Sequence, residues 1–297
     1  MSKKSLPELP LAGWQDTLKT FHMWSQIVGK IALAKTPLIN HYWNATLRVT
    51  PRGLTTLPLA DASVGSFSIE FDLVAHQLVI KCENGETRSI ELYPRTVSDF
   101  YNAVMAVLGE LKIEADIWTM PVEVEDPIRF TEDTIHSSYD PEYIERFREI
   151  LIWTNGVFRE FRSRFVGKSS PVHFFWGSFD MAVTRFNGER APERDGADSI
   201  TREAYSHKCI SHGFWCGSGA IQEPAFYAYA APEPDGCKVA QISPPESYYH
   251  LDLSEFILPY EAVRNSASPE GTLLDFLQST YSAAADLGSW DRGQLER

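Results

Sequence analysis

Apolar residues recur at helical spacing near the start of the chain. The segment "LAGWQDTLKTFHMWSQIV" places large apolar side chains on one face, at Leu11, Trp14, Leu18, Phe21 and Val28. This period predicts an amphipathic helix over residues 11–28. Gly29 and Lys30 follow, and a left-handed glycine with a nearby cation is a common helix end. We therefore expect the helix to stop at Gly29.

The next segments alternate apolar and polar residues, which indicates strands. They read "HYWNATLRVT", "GSFSIEFDLV" and "HQLVIKCENGETRSIELY", and "ENGE" is typical of a tight hairpin turn. Together they predict antiparallel strands. Thr96 and Asp99 resemble a capping box, which predicts a helix that runs to Leu111. A short strand in "ADIWTMPVEV" is expected to follow it.

The second part of the chain begins after residues 121–140, which contain prolines and acidic residues without a period and are interpreted as a connection. Asp140 and Pro141 then predict the N-cap and first turn of a long helix. Its apolar face is expected at Ile144, Phe147, Leu151, Thr154, Phe158, Phe161 and Phe165. Further strands are predicted at 171–186, 201–210, 224–230 and 248–257, and a last helix from Ser268 to Leu287.

The two parts share an order of elements, which suggests an internal duplication. Both first helices are followed by "VGK", and "PLINHYW" aligns with "SPVHFFW", so that Trp43 matches Trp176. The expected fold is α+β, with two similar halves at residues 1–120 and 141–297, each a mostly antiparallel sheet with packed helices. The alternative is that "VGK" is only a common helix end.

The segment "SSPVHFFWGSFD", residues 169–180, carries the most conspicuous histidine of the chain. A continuous strand over residues 171–181 would be apolar on both faces and would point His173 and Trp176 in opposite directions. His173 is then either a hydrogen-bonded core residue or part of a site. Asp180, at the polar end of this strand, either pairs with Arg185 or lies at the mouth of a cleft.

The net charge of the chain makes polyanionic binding partners unfavourable. A formal net charge of −13 disfavours nucleic acids and anionic membranes, since both attract basic surfaces. The sequence has no apolar stretch long enough for a signal peptide or a membrane span of about 20 residues, so neither is expected. The four cysteines are few for 297 residues, so they are interpreted as reduced thiols of a cytoplasmic protein.

One segment offers metal ligands, and another resembles a phosphate loop. "HKCISHGFWC" contains His207, Cys209, His212 and Cys216, but their spacing matches no common zinc motif. Metal binding there is kept as an alternative. "GFWCGSG" leads into a strand, whereas a phosphate loop leads into a helix, so a glycine-rich turn is expected.

Other reactive side chains are less specific. Asp180, Glu203 and Glu223 lie near aromatic strands and could form the carboxylate pair of a glycoside hydrolase. The serines near His173 lack the nucleophile-elbow sequence. Lys30 and Lys168 are interpreted as helix-end cations.

Several aromatic-rich segments of the sequence resemble a known protein family. "TFHMWSQIVGKIALAKTPLINHYW", "RGLTTLPL", "IWTMPVEV", "SPVHFFWGSFDMAVTRFNG", "EPAFYAYAAPEP" and "LQSTYSAAADLGSWD" together are similar to a bacterial family of unknown function. The resemblance covers residues 6–292. It implies a protein built as one unit and supplies no catalytic residue or cofactor.

Two functional hypotheses follow. In the first, a small molecule binds in an aromatic-lined pocket between the halves, with or without catalysis. Its expected lining residues are His173, Trp176, Asp180, His212, Glu223, His41 and Trp43. In the second, the protein is a non-enzymatic interaction or structural protein whose aromatic residues form the core.

Overall fold

The computed structural model describes residues 5–193 and 195–297 and contains two six-stranded antiparallel sheets with packed helices. This confirms the predicted α+β class. The helices are α1 (Leu11–Lys35), α2 (Val97–Glu110), α3 (Pro141–Ser163), α4 (Ser199–Ala204), α5 (Tyr260–Arg264), α6 (Pro269–Leu287) and α7 (Arg292–Leu295). Short 3-10 helices lie at Asn40–Tyr42 and Cys237–Val239.

The strands divide between the two sheets in chain order. The first sheet contains β1 (Arg48–Thr50), β2 (Gly53–Thr55), β3 (Leu59–Asp61), β4 (Gly65–Asp72), β5 (Gln77–Cys82) and β6 (Thr87–Glu91). The second contains β7 (His173–Phe175), β8 (Asp180–Arg190), β9 (His207–Trp215), β10 (Ala225–Ala231), β11 (Tyr248–His250) and β12 (Glu255–Pro259). An internal duplication remains a prediction.

The described chain divides into two compact units. The N-terminal unit comprises Ala12–Ile152 together with the short segment Phe174–Phe179. The C-terminal unit comprises Trp153–His173, Asp180–Arg297 and the described residues up to Leu11. The segment Phe174–Phe179 therefore belongs to the N-terminal unit, although both of its sequence neighbours belong to the C-terminal unit.

The sheet of the N-terminal unit has the order β1-β2-β4-β5-β6, and β3 also pairs with β4. Alternate residues of β4, including Ile69 and Phe71, are buried, as expected for a strand with one face on a core. Phe21 of α1 meets Phe71 edge-on at 5.0 Å, and Trp24 stacks on Phe100 of α2 at 4.5 Å. These aromatic contacts hold α1 and α2 on the sheet.

The second sheet has the order β11-β12-β10-β9-β8-β7. One face is covered by helices: Phe158 of α3 packs on Phe226 of β10 at 6.4 Å, and Phe161 packs on Tyr281 of α6 at the same distance. Because strand side chains alternate, the opposite face carries a different set of residues, including Tyr227.

Three predicted helix starts are confirmed. The Thr96 hydroxyl accepts a hydrogen bond from the Asp99 amide at 3.1 Å, so it caps α2. The Asp140 carboxylate accepts the Glu142 amide at 2.9 Å at the start of α3. Pro269 occupies the first turn of α6.

The predicted end of α1 at Gly29 is wrong, because the helix continues to Lys35. Gly29 is needed for a different reason. A Cβ atom at this position would lie 2.2 Å from Cδ1 of the Trp176 ring, so only glycine lets the indole approach the helix. Lys30 consequently lies inside α1, and Lys168 lies in the segment that follows the end of α3 at Ser163. Neither is a helix-end cation.

The predicted continuous strand over residues 171–181 is also wrong. The chain forms β7, then a turn at residues 176–179, and then β8. Phe179 adopts a left-handed backbone with φ 57, which reverses the chain before Asp180. Because the strand is interrupted, the predicted opposition of His173 and Trp176 on one strand does not apply.

Two further strand predictions fail. Residues 115–124 form no strand, and the backbone of Val122 instead forms hydrogen bonds with the side chain of Gln26 in α1. The strand expected at 201–210 begins only at His207, because Asp198 caps the short helix α4 by accepting the Thr201 amide at 2.7 Å. Within the described residues, the helices lack the combination of length and hydropathy needed to cross a membrane.

We predict opposite effects for two Gly→Ala substitutions in helices. Gly29→Ala lowers the free energy of unfolding by about 1–3 kcal/mol, because the added methyl group collides with Trp176. Gly156→Ala, on an exposed position of α3 with nothing within 4 Å, raises it by about 0.5–1 kcal/mol through helix propensity. Urea unfolding measures both values, and stabilisation by Gly29→Ala would contradict the packing of Trp176.

Candidate functional site

Three polar residues of α1, His22, Gln26 and Lys30, lie four residues apart on one helix face. His22 Nε2 lies 3.0 Å from the carbonyl oxygen of Trp176 and 2.8 Å from that of Gly177. Gln26 Nε2 also lies 3.0 Å from this nitrogen, but the two carbonyl oxygens assign the ring hydrogen to Nε2, so His22 donates to both oxygens. Burial lowers the pKa of His22 to about 4, and a neutral imidazole therefore anchors the turn at 176–179.

Gln26 anchors a second segment. Its side-chain amide donates to the Val122 carbonyl at 2.8 Å and accepts the Val122 amide at 2.9 Å. This pair of bonds satisfies backbone groups that a strand would satisfy through a neighbouring strand. The loop that carries Trp118 is thereby fixed to α1 in the absence of a sheet.

Lys30 lies among three aromatic rings of the N-terminal unit. Its Nζ is 4.7 Å from the ring centroid of Trp118, 5.9 Å from that of Trp176 and 6.0 Å from that of Phe130. The residue is 6% exposed, and the part of the chain that the structure describes offers its amine neither a hydrogen-bond acceptor nor a carboxylate. Burial alone lowers the pKa of Lys30 to about 8.

Trp176 is held rigidly beside Lys30. Its Nε1 donates to the Ala45 carbonyl at 2.8 Å, and its ring lies against Gly29. Four residues before Ala45, His41 is buried with a left-handed backbone at φ 59, and its ring centroid lies 5.1 Å from that of Trp43. The predicted residues His41, Trp43 and Trp176 thus all belong to the N-terminal unit.

The chemistry of this site is that of a cation in apolar surroundings. An ammonium group next to aromatic faces gains cation–π attraction, but it keeps the capacity to donate hydrogen bonds to an anion. Trp118, one of the three rings, is 62% exposed, so it presents a flat apolar surface to solvent. The arrangement suits an anionic group beside a planar one.

The predicted residue Asp180 lies in a separate cluster in the C-terminal unit. The Tyr227 hydroxyl donates to its carboxylate, and Tyr227 stacks on Tyr229 at 6.0 Å. Burial, together with the charge of Asp180, raises the pKa of Glu255 to about 7. The same two causes raise the pKa of the buried Cys216 thiol. Burial is the larger cause in both groups, so the cluster is poorly solvated.

The two predicted histidines of the C-terminal unit are fully buried. His212 pairs across the strands with Val183, which places it on the face of the sheet opposite Asp180. Its Nε2 lies 3.1 Å from the Thr280 hydroxyl, and its ring packs on Phe161 at 4.8 Å. His212 therefore belongs to the core under the helices. His173, the first residue of β7, is also buried.

The metal alternative for residues 207–216 is not supported by the geometry. Cys209 and His212 point to opposite faces of β9, so these residues cannot converge with His207 and Cys216 on one ion. Across residues 5–193 and 195–297, the structure forms no cluster of three or more histidine, cysteine, aspartate or glutamate side chains suited to a metal ion.

The glycine-rich segment after β9 forms a turn, as predicted. Gly217 has φ +91, and a Cβ atom there would lie 2.6 Å from the Glu223 carbonyl oxygen, so the loop closes on its own backbone. Glu223 itself is exposed.

Sequence reasoning missed His22, Gln26, Trp118 and Glu255. A signal for two of them was present, because His22 and Gln26 are polar residues of the first predicted helix at a spacing of four, with Lys30 next in the series. Nothing local marks Trp118 or Glu255, since their roles depend on distant strands and loops.

The comparisons with known proteins identify a family without a function. A family model described as "Family of unknown function (DUF5996)" matches residues 6–297. The curated proteins and the solved structures contain no match to the chain.

The raised pKa of Glu255 predicts a pH-dependent stability. Because this pKa is near 7 in the folded chain and near 4.5 when unfolded, stability is lost as the pH rises through this window. Glu255→Gln removes the loss, so its stability relative to the natural protein rises between pH 4.5 and 8 by about 2–3 kcal/mol. Urea unfolding at several pH values tests this, with exposed Glu246→Gln as control. Equal pH profiles for natural protein and Glu255→Gln would contradict the burial of Glu255.

Proposed function

The chain belongs to the DUF5996 family of unknown function, and we propose that it binds a small planar carboxylate at Lys30. The observation that carries the proposal is a buried amine without an anionic partner among the residues that the structure describes. His22, Gln26 and Trp176 position the surrounding segments, and Lys30 supplies the charge.

The burial of the Lys30 ammonium group favours the binding of an anion. A buried ammonium group without a counter-charge is costly, and the lowered pKa of Lys30 reports that cost. Three aromatic faces offset part of it, but cation–π attraction satisfies none of the ammonium N–H donors. A ligand carboxylate adds both the missing charge and the missing acceptors, so the free protein is poised to bind one.

The planar part of the ligand is inferred from Trp118. This indole lies beside Lys30 and is 62% exposed, so a ligand can reach its ring. A flat ring stacked on it buries apolar surface while the carboxylate reaches Nζ. A carboxylate is proposed because the ammonium group that lies among these three rings, that of Lys30, carries one charge.

Two other functions are alternatives to carboxylate binding. If the protein is a non-enzymatic structural protein, Lys30 only joins aromatic core residues, and no ligand binds. Proton transfer in the C-terminal unit is a second candidate, favoured by a Glu255 pKa of about 7 beside the charge of Asp180. A cytoplasmic location remains part of the proposal, motivated by the small number of cysteines, four in 297 residues, all of them buried.

Isothermal titration with benzoate tests the proposed site. Benzoate combines ring and charge, whereas acetate has only the charge and benzyl alcohol only the ring. We expect benzoate to bind at least about tenfold more tightly than either, since a charge-assisted hydrogen bond contributes about 1.5–3 kcal/mol. Lys30→Met and Trp118→Ala each weaken benzoate binding by at least about tenfold.

Control variants separate binding from folding. Lys19→Met removes an exposed lysine from the same helix and leaves benzoate affinity unchanged. Trp118→Ala changes an exposed residue, so circular dichroism should match that of the natural protein. The proposal is overturned if benzoate does not bind, or if it binds equally well to folded Lys30→Met.

Proton uptake gives an independent prediction. A bound carboxylate raises the pKa of Lys30 above its free value near 8. Binding at pH 8 therefore takes up about half a proton, whereas binding at pH 6 takes up almost none. Titrations in buffers of different ionisation enthalpy measure this difference. Equal proton uptake at both pH values would show that the ligand does not contact Lys30.

A further inference from the structure

A cationic cleft lies in the C-terminal unit of this acidic chain. It has a volume of about 620 Å³, and its lining includes Arg162, Lys168, Arg297, Ser169 and Phe165. The whole protein has a formal charge of −13, so three cations around one cleft depart from the rest of its composition. The cleft shares no residue with the Lys30 site.

The three cations are not neutralised locally. Arg162, Lys168 and Arg297 form no ion pair with a carboxylate in the described ranges 5–193 and 195–297. The nearest acidic residues in sequence are already paired: Glu160 with Arg164 at 3.2 Å and Glu296 with Arg292 at 2.5 Å. The positive charge that faces the cleft is therefore available to a ligand.

Backbone hydrogen bonds hold the walls of the cleft in place. The Val166 amide donates to the Leu295 carbonyl at 2.8 Å, and the Arg297 amide donates to the Arg164 carbonyl at 3.1 Å. These bonds tie the segment that carries Arg297 to the segment that follows α3. On the other wall, the Phe186 amide donates to the Lys168 carbonyl at 2.9 Å.

The side chain of Arg162 is also oriented. Its Nε donates to the Ser170 carbonyl at 2.6 Å, which uses one of its donors and leaves the two terminal nitrogens for a ligand. A guanidinium held in this way can form two parallel hydrogen bonds to a tetrahedral oxyanion. Lys168 adds a point charge, and the Ser169 hydroxyl adds a donor.

We propose that this cleft binds a small molecule that bears a phosphate group. Three cations and a hydroxyl match the several acceptor oxygens and multiple charge of a phosphate better than the single charge of a carboxylate. The Phe165 ring supplies an apolar wall for the remainder of the molecule. This site is independent of the proposed carboxylate site, and either one can fail without the other.

Inorganic pyrophosphate is the probe for this cleft. Isothermal titration of the full chain at low ionic strength should show saturable binding that weakens as salt is added. Arg162→Gln and Lys168→Gln should each weaken the affinity by about tenfold or more, because each removes a charge-assisted contact. Both residues are exposed, so the variants are expected to fold, and thermal unfolding checks this.

A matched substitution distinguishes the cleft from general charge effects. Lys238→Gln removes the same charge from an exposed position of the same unit outside the cleft lining, and it should leave pyrophosphate affinity unchanged. The proposal is overturned if pyrophosphate does not bind. It is also overturned if the cleft variants bind as the natural protein does, or if Lys238→Gln weakens binding equally.

Discussion

The contact between Trp176 and Gly29 is the constraint on which the candidate site depends. A side chain at Gly29 would exclude the indole, and without the indole Lys30 would lose one of its aromatic walls. His22 holds the same turn through its carbonyl oxygens, one helix turn before Gln26. A single face of α1 therefore positions the turn at 176–179, the loop at Val122 and the amine of Lys30.

Desolvation shifts the pKa values of buried groups in opposite directions in the two units. In the N-terminal unit it lowers the pKa of two bases, His22 and Lys30, and so favours their neutral forms. In the C-terminal unit it raises the pKa of acids, including Glu255 and Cys216, near the charge of Asp180. Each unit thus contains a polar group whose charged form is disfavoured by its surroundings. Groups of this kind are found at binding and catalytic sites as well as in cores.

The elements predicted best are those with local signals. α2, α3 and α6 begin where a capping side chain or a first-turn proline indicates, because these signals lie within a few residues of the helix start. The prediction for α1 failed at Gly29 because the reason for that glycine is Trp176, which is distant in sequence. The prediction of a continuous strand at 171–181 was wrong for a related reason. The apolar residues continue through this segment, but the carbonyl oxygens of Trp176 and Gly177 bond to His22, which is distant in sequence.

The candidate site was predicted only in part. Trp176 was named from the sequence, but Lys30 was interpreted as a helix-end cation because "VGK" fits that local pattern. Trp118 and Phe130 come from a connection without periodicity, so no pattern could place them beside the amine. Their positions depend on tertiary contacts, among them the hydrogen bonds between Gln26 and Val122 and the bond from the Phe130 amide to the Thr119 carbonyl.

The ionisation of Lys30 tests the account most directly. Lysine side chains can be labelled isotopically and followed by NMR as the pH is raised, with Lys30→Met used to assign the signal. The account predicts one lysine that titrates near pH 8 and is missing from the variant. If every lysine titrates near the ordinary value of 10.5, the amine is not buried among aromatic rings, and the proposed binding site is contradicted.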